Sequence, residues 1–401
     1  MAISPFSVVA SHVWIGGTFR PARVGVRDGV IDEVVPLASR YLPVGPPGDV
    51  GGEVYRLPED TILLPGLVDP HVRVSEPGHA EGEGFRSATL AAAAGGITTL
   101  LDMTPGPVAP ATSEEALRIT RKAAGRNAFV DVGFWGGAVA GNLGSLAALH
   151  RAGVFGFACF FSPSGVDESL DAGQLRRAME EVAALGSRMA VHAGLSDIET
   201  VIEAVRRTGC RTHIAHLGDG AALSAVRAAK REGLPLTVET CPSHLSLAAA
   251  ELPDGADDRD LLWRGVLDGT VDAIVDDGVP GLEAGLSAVW TEAKRRRIPL
   301  STLLPLFTTG PAAVAGIDGA GEIAVGRPAN LTVFGPDRPM PIRAGEPRDR
   351  AGVGAYDGRA LVGRILHTWL HGVTVFDAQT GGPGHAPSLR RTPKGRLLSA
   401  S

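Results

Sequence analysis

The stretch LLPGLVDPHVRV, residues 63–74, decides how the rest of this 401-residue chain is interpreted. An apolar run leads into Asp69, His71 and Arg73, so polar side chains stand at the end of a segment that is otherwise suited to burial. Residues two apart on a strand point to the same face, so His71 and Arg73 project together. This arrangement would suit a metal site with two imidazoles, except that Arg73 occupies the second position.

The sequence that follows predicts a (β/α)8 barrel over residues 65–317. Compact apolar runs alternate with Ala-rich amphipathic stretches, which is typical of a parallel sheet covered by helices. Eight strands over about 250 residues fit a closed barrel. They are expected at 67–74, 98–103, 130–134, 156–161, 189–192, 212–216, 236–239 and 273–276. The alternative is an open doubly wound sheet, but no Gly-rich dinucleotide turn follows the first strand.

The two ends of the chain are expected to form one small β domain, built from residues 1–64 and 318–385. Both ends contain short strand patterns, and an Asp-Gly turn within Val24–Ile31 predicts a hairpin. A Pro/Gly-rich spacer lies at 43–52 and a Pro-rich loop at 336–350. Residues 386–401 are expected to be a flexible, solvated tail.

Composition excludes several classes of function. The net charge is −6 and the longest Lys/Arg block is only four residues, 294–297, which argues against a nucleic-acid surface. No run of 18 apolar residues occurs and the N-terminus lacks a basic leader, so neither a membrane nor an export role is expected. Three scattered cysteines, Cys159, Cys210 and Cys241, are expected to be buried free thiols. A cytoplasmic location follows as the expectation.

Four polar residues fall where predicted barrel strands end, which is where barrel enzymes place their active sites. They are His71, His192, His216 and Asp277. Any one of these residues alone would more often be structural. Their joint occurrence favours a converging site, because His and Asp are ordinary zinc ligands.

Other polar residues near the strand ends receive structural interpretations. His213 is expected to face away from His216, and His244 is expected to line the mouth without a motif of its own. Glu239 and Asp102 are interpreted as carboxylates that support a ligand or cap a backbone end.

Several segments resemble the cyclic amidohydrolases, the group of hydantoinases, dihydroorotases and allantoinases. LLPGLVDPHVRV and AAAGGITTLLDM (92–103) resemble the whole group. DVGFWGGAVAGN (131–142), GVFGFACFFSPSGVDE (153–168) and VETCPSHL (238–245) are similar specifically to allantoinases. The resemblance covers most of the chain. It implies two metal ions, usually zinc, and a bridging hydroxide that opens the hydantoin ring of allantoin to give allantoate.

The resemblance places His71, His192, His216 and Asp277 on four of the six metal-ligand positions. It also makes Asp277 the catalytic residue that shuttles the proton. The loops that would contact substrate are shorter than in that group, and Ser243 stands where a histidine is usual.

The other two ligand positions are substituted. Arg73 replaces the second histidine of the first barrel strand, and Ala158 replaces the lysine that becomes carboxylated. Ala158 offers no ligand, and the guanidinium of Arg73 stays protonated and cannot coordinate. A unit charge facing a divalent ion at ~4 Å costs roughly 8 kcal/mol at an effective dielectric near 20. The sequence therefore predicts a degenerate metal site.

Three functions stay open. The substitutions favour a pseudoenzyme, an allantoinase-like barrel kept for binding, scaffolding or regulation, in which Arg73 pairs with Asp277. The alternative is an active hydrolase that opens a cyclic amide or ureide ring, as in purine degradation. It would use one metal ion on His192 and His216, helped by His71 or Asp277. A third possibility is a sensor that binds a small molecule without turnover.

The cofactor expected is at most one zinc ion at low occupancy, and a dinuclear centre with a carboxylated lysine is not expected. A small cyclic amide or ureide is the expected ligand. A homo-oligomer, or a hetero-oligomer with an active homologue, is the expected assembly, with neither nucleic acid nor membrane as a partner.

Overall fold

The computed structural model describes most of the chain. The described residues are 4–38, 52–74, 76–77, 84–103, 111–161, 169–248, 251, 258–277, 281–340, 356–378, 388–389, 392 and 394–400. Three segments that the sequence analysis singled out lie wholly or largely outside these ranges: the spacer at 43–52, the SPSGVDE stretch at 162–168, and the 341–350 part of the Pro-rich loop.

Eight short parallel strands, most of their residues buried, form the barrel that the sequence predicted. They are β6 (Leu67–Val72), β7 (Ile97–Asp102), β8 (Asp131–Phe134), β10 (Phe157–Phe161), β11 (Arg188–Ala193), β12 (Arg211–Ile214), β13 (Leu236–Thr240) and β14 (Ala273–Ile274). A two-residue strand, β9 (Gly136–Gly137), follows β8 and pairs with β10.

Backbone hydrogen bonds connect the two runs of barrel strands, β6-β7-β8 and β9 to β14. Phe155 N donates to Phe134 O at 2.9 Å on one side. On the other side Asp277 N donates to His71 O at 3.1 Å. This second contact brings the end of the last barrel strand beside the end of the first, where the predicted site residues lie.

Helices cover the barrel strands. They are α1 (Phe85–Ala94), α2 (Glu114–Asn127), α3 (Leu146–Arg151), α4 (Ala172–Ala184), α5 (Ile198–Thr208), α6 (Leu223–Arg231), α7 (Pro242–Ser246), α8 (Arg259–Leu267), α9 (Gly285–Arg295), α10 (Leu300–Phe307) and α11 (Thr309–Ala315). Local sequence sets several of their ends. Asp171 and Gln174 exchange side-chain to backbone hydrogen bonds at the start of α4, and Gly209 ends α5 in the left-handed conformation. None of the helices in the described ranges has the length and apolar character needed to cross a bilayer.

Strands from both ends of the chain share one mixed sheet, as expected for the small β domain. Its strands are β1 (Phe6–Ile15), β2 (Thr18–Arg27), β3 (Val30–Pro36), β4 (Glu53–Arg56), β5 (Ile62–Pro65), β15 (Leu331–Met340), β16 (Leu361–Leu370), β17 (Val373–Asp377) and β18 (Ser388–Leu389). The chain ends meet where β15 pairs antiparallel with β5. The predicted hairpin is β2–β3, and its turn residues Asp28 and Gly29 both have positive φ angles, as a type I′ turn requires.

The last described segment differs from the solvated tail that the sequence suggested. Residues 394–400 run alongside β8, and backbone hydrogen bonds join Val132 N to Arg396 O at 2.9 Å and Leu398 N to Val132 O at 2.8 Å. Gly395 N donates to Ala128 O at 3.0 Å. These contacts use backbone groups, which composition does not reveal, so the polar and Pro/Gly-rich sequence gave no sign of them.

Candidate active site

His71 lies at the centre of the barrel mouth and is held by two carboxylates. It is fully buried near the end of β6. Its Nδ1 lies 2.5 Å from Oε1 of Glu239, and its Nε2 lies 2.8 Å from Oδ1 of Asp277. Each ring nitrogen therefore lies close to a protein carboxylate, although only the Nδ1 contact has hydrogen-bond geometry.

Arg73 and Asp277 form a bidentate ion pair across the β6–β14 seam. Nε and Nη2 of Arg73 donate to Oδ1 of Asp277 at 3.0 and 2.8 Å, and Nη2 also donates to Oδ2 at 2.8 Å. The pairing proposed from the sequence is thus present in the structure. The Arg73 side chain is 42% exposed and that of Asp277 only 9% exposed, so the pair spans the boundary between solvent and interior.

The charges of this cluster are mutually stabilising. Burial alone would lower the pKa of His71, but Asp277 and Glu239 outweigh burial and raise it to about 10. Burial opposes ionisation of both carboxyl groups as well, yet the His71 cation holds the pKa of Asp277 and of Glu239 well below the usual carboxyl range. The two carboxylates therefore favour the protonated form of His71, and the charge on His71 in turn favours their ionised forms.

His192 and His216 form a second, uncharged pair beside this cluster. Nδ1 of His192 lies 2.8 Å from Nε2 of His216, and the His192 ring stacks on Phe160 with centroids 4.5 Å apart. Burial and then the positive charge on His71 hold the pKa of His192 well below its ordinary value. Burial also lowers the pKa of His216. Nε2 of His192 is buried and has no hydrogen-bond partner among the described residues.

Glu239 has a larger part in the site than the sequence suggested. This fully buried carboxylate contacts His71 through Oε1, accepts from His216 N at 3.1 Å, and lies 2.8 Å from Nε2 of His213 through Oε2. His213 is buried, with Nδ1 2.8 Å from Thr237 Oγ1. The prediction that His213 faces away from His216 assumed that both residues lie on one strand. That assumption is wrong, because β12 ends at Ile214 and His216 has a φ of 36°.

Other predicted residues have supporting positions. Asp102 accepts a hydrogen bond from Val74 N at 3.2 Å and so caps the end of β6. Asp69 accepts from His71 N at 3.0 Å and from Asp276 N at 2.9 Å, and burial raises its pKa to about 7. The sequence analysis gave Asp69 no role. Its hydrogen bonds to the backbone of His71 and of Asp276 join the ends of the first and last barrel strands. His244 lies in α7, next to Gly218.

Cys159, Cys210 and Cys241 are buried free thiols, as expected. Burial raises the pKa of Cys159 to about 12 and that of Cys210 to about 11, and it also raises the pKa of Cys241. These values make them inert at neutral pH.

The described residues do not fit a two-ion centre. Asp277 has both carboxylate oxygens bonded to Arg73, and Ala158, half-buried on β10, has no donor atom. Both nitrogens of His71 lie within 2.8 Å of a carboxylate oxygen. Within the described part of the chain, no group of three or more His, Cys, Asp or Glu side chains is arranged to hold a metal ion.

Two uncharged imidazoles remain, and Nδ1 of His192 lies 2.8 Å from Nε2 of His216. A catalytic zinc needs about three protein ligands. Asp277, which could be the third, is bonded to Arg73 through both carboxylate oxygens.

The fold and sequence are those of a known family. The sequence model of the Amidohydrolase family matches residues 62–375. An allantoinase of Streptomyces avermitilis is 37% identical over 95% of this chain and 95% of its own length, and an allantoinase of Saccharomyces cerevisiae is 30% identical over 98% of both. This chain belongs to the Amidohydrolase family.

Solved structures agree on the fold. An L-hydantoinase from Arthrobacter aurescens superposes with a TM-score of 0.88 at 22% identity over the full length of both chains. A dihydropyrimidinase from Brevibacillus agri gives a TM-score of 0.83 at 19% identity over 99% of both. The resemblance to amidohydrolases stated from the sequence is confirmed, and so is the barrel with its accompanying β domain.

Proposed function

We propose that the barrel mouth binds a small cyclic ureide or amide of the allantoin type without a two-ion hydrolytic centre. The bidentate Arg73–Asp277 ion pair carries this proposal. The aspartate that would hold a metal ion and shuttle a proton is neutralised by a guanidinium, which cannot coordinate a metal. Ala158 supports the same conclusion because it cannot be carboxylated.

The side chains at the mouth are suited to recognising a ureide ring. Arg73 uses Nε and Nη2 for Asp277, which leaves the N–H groups of Nη1 to donate to a ligand carbonyl. The half-exposed position of Arg73 lets a ligand reach it. The stacked rings of Phe160 and His192 add a flat surface at the barrel mouth.

A second candidate function is ring opening with a single metal ion. The names of the relatives favour it, since they match over nearly the whole chain and are allantoinases. The neutral, converging nitrogens of His192 and His216 also favour it, because neutral imidazoles are competent ligands. When bound, the ion would activate a water molecule for attack on the ring amide. This candidate requires Arg73 to release Asp277.

One experiment separates the two candidates. Purified protein with added zinc is assayed for opening of allantoin, hydantoin and dihydroorotate, and its thermal unfolding is measured with and without allantoin. Stabilisation by allantoin without turnover supports the first candidate. Turnover that His192→Ala abolishes and His150→Ala, in α3, preserves supports the second. Neither stabilisation nor turnover would contradict both.

We also propose that the protein acts in the cytoplasm and assembles with another copy of itself or with an active homologue. The motivation is the retained scaffold. Light scattering of the purified protein would test self-assembly, and a strictly monomeric chain would leave only the hetero-oligomer.

A further inference from the structure

A cavity of about 310 Å³ lies at the opposite end of the barrel from the candidate active site. It opens where β11, β12 and β13 begin, and α11 forms one side. Arg188 and Arg211 line it together with the apolar side chains of Leu234, Leu236 and Val314. Its volume lies within the range of small-ligand sites, about 300–1,000 Å³.

Two guanidinium groups border this cavity without a carboxylate to balance them. The strand register places Arg188 directly beside Arg211 on the neighbouring strand. Neither has an ion-pair partner among the described residues. Like charges opposite one another on neighbouring strands destabilise a sheet. An anion bound between the two guanidinium groups would therefore reduce their electrostatic repulsion. Burial, followed by the nearby charge of Arg211, also lowers the pKa of Arg188.

Backbone carbonyls hold both arginines in place. Nη1 of Arg188 donates to Val314 O at 2.9 Å and to Ala313 O at 3.3 Å, at the C-terminal end of α11. Nη2 of Arg211 donates to Gly186 O. These bonds engage one terminal nitrogen of each guanidinium and leave the remaining N–H groups to bind an oxyanion.

We propose that this cavity binds a small organic carboxylate, with the carboxylate on Arg188 and Arg211 and an apolar body against Leu234, Leu236 and Val314. The planar guanidinium fork matches a carboxylate. The apolar wall selects an anion that carries a hydrocarbon part. This site is separate from the mouth, since Arg188 begins β11 and His192 lies four residues further on, about 13 Å along the strand.

Titration calorimetry with benzoate tests the proposal, with benzamide as the neutral isostere and inorganic phosphate as the anion without an apolar body. We expect saturable binding of benzoate that weakens as salt is added, and weak or no binding of benzamide and phosphate. Arg211→Gln should weaken benzoate binding about tenfold or more, because it removes a charged hydrogen-bond donor. The matched control, Arg118→Gln on α2, removes an exposed arginine elsewhere and should leave binding unchanged.

Arg188 supports α11, so its replacement could unfold the protein. Ala313→Leu, an exposed position at the cavity edge, offers a second variant that narrows the cavity while keeping both charges, and it should also weaken benzoate. No saturable benzoate binding up to about 10 mM would overturn the proposal. So would binding that survives Arg211→Gln, or phosphate binding as tight as that of benzoate. Allantoin turnover at the mouth does not enter these measurements, so the outcome is independent of the function proposed there.

Discussion

Arg73 and Asp277 neutralise one another at the barrel mouth. By pairing with Asp277, Arg73 provides the positive charge that a metal ion would otherwise supply at this position. Asp277 and Glu239 also face the buried His71, and their negative charges raise its pKa. A buried charge is tolerated when it is paired, and this cluster pairs every charge it contains.

Restoring both substituted positions should restore metal binding. We expect Arg73→His combined with Ala158→Lys to bind more zinc per chain than the unaltered protein, because it returns an imidazole and an amine that can be carboxylated. Zinc retained after dialysis, measured by mass spectrometry, checks this. The matched control, Arg73→Gln with Ala158→Lys, removes the charge without adding an imidazole and should gain less. If the restored variant gains nothing, the loops have changed the site as well.

His71 should remain protonated at neutral pH. Its folded pKa of about 10 lies above the unfolded value near 6.5. Its contribution to stability is therefore complete below about pH 6.5 and is lost as the pH rises through about 10. Nitrogen chemical shifts of labelled histidines would show an imidazolium at pH 8, and the unfolding free energy should fall from pH 7 to 10, less steeply in His71→Asn. A His71 ring that titrates near 6.5 would contradict the ion-pair assignment.

Removing the charge of Glu239 should be costly. Glu239→Gln leaves the His71 cation with one carboxylate and weakens the contact to His213, so we expect a loss of about 3 kcal/mol or more in the free energy of unfolding. Urea denaturation measures it. Glu199→Gln, an exposed position on α5, should change stability by about 0.5 kcal/mol or less. Equal effects of the two variants would show that the buried network contributes little.

The sequence predicted the side chains at strand ends better than it predicted their partners. His71, Arg73 and Asp277 follow from strand position and barrel closure, so their convergence could be anticipated. Glu239 and His213 could not, because their roles depend on which neighbour each side chain meets across two strands. His216 was predicted from its place at the end of the strand expected at 212–216, although the observed strand β12 already ends at Ile214.

At the scale of elements, a close contact joins α1 of the barrel to the β domain. Gly96, just after α1, has a φ of +81°, and a Cβ there would lie 2.8 Å from Thr332 Cγ2 and 3.0 Å from Ile365 Cδ1. Thr332 and Ile365 belong to β15 and β16. The AAAGGITT segment thus needs glycine for both its backbone angle and its packing.

Gly96→Ala should destabilise the protein more than Gly186→Ala. Both positions have positive φ, so both carry a penalty of about 1–2 kcal/mol. A Cβ at Gly186 meets nothing within 4 Å, whereas overpacking at Gly96 adds about 1–3 kcal/mol. Thermal unfolding of the two variants gives the comparison. Equal decreases in stability for the two variants would show that the added methyl group at Gly96 is accommodated between the barrel and the β domain, and would contradict the prediction.

Element positions were largely predictable because apolar periodicity reports burial directly. The strands expected at 98–103 and 236–239 overlap β7 and β13 almost completely. The last barrel strand is shorter than expected, only Ala273 and Ile274, since the following residues bend towards the seam with Asp277 at a φ of 56°. Residues 394–400 were missed because backbone pairing with β8 leaves no side-chain pattern.

At the scale of the whole molecule, the family scaffold is present together with two side chains, Arg73 and Ala158, that cannot bind a metal. The similarity to allantoinases spans 95% of the chain, and the fold superposes on a hydantoinase over its full length. The same chain has Arg73 and Ala158 at two positions that the amidohydrolase resemblance assigns to metal ligands. A barrel scaffold of this family is therefore compatible with side chains at these two positions that cannot bind a metal.

The number of zinc ions bound per chain tests this account most directly. The purified full-length protein is incubated with excess zinc and bicarbonate, dialysed, and its metal content measured against protein concentration. We expect at most one ion per chain at low occupancy, because Arg73 occupies Asp277 and no lysine bridges the site. Two tightly bound ions per chain would contradict the account.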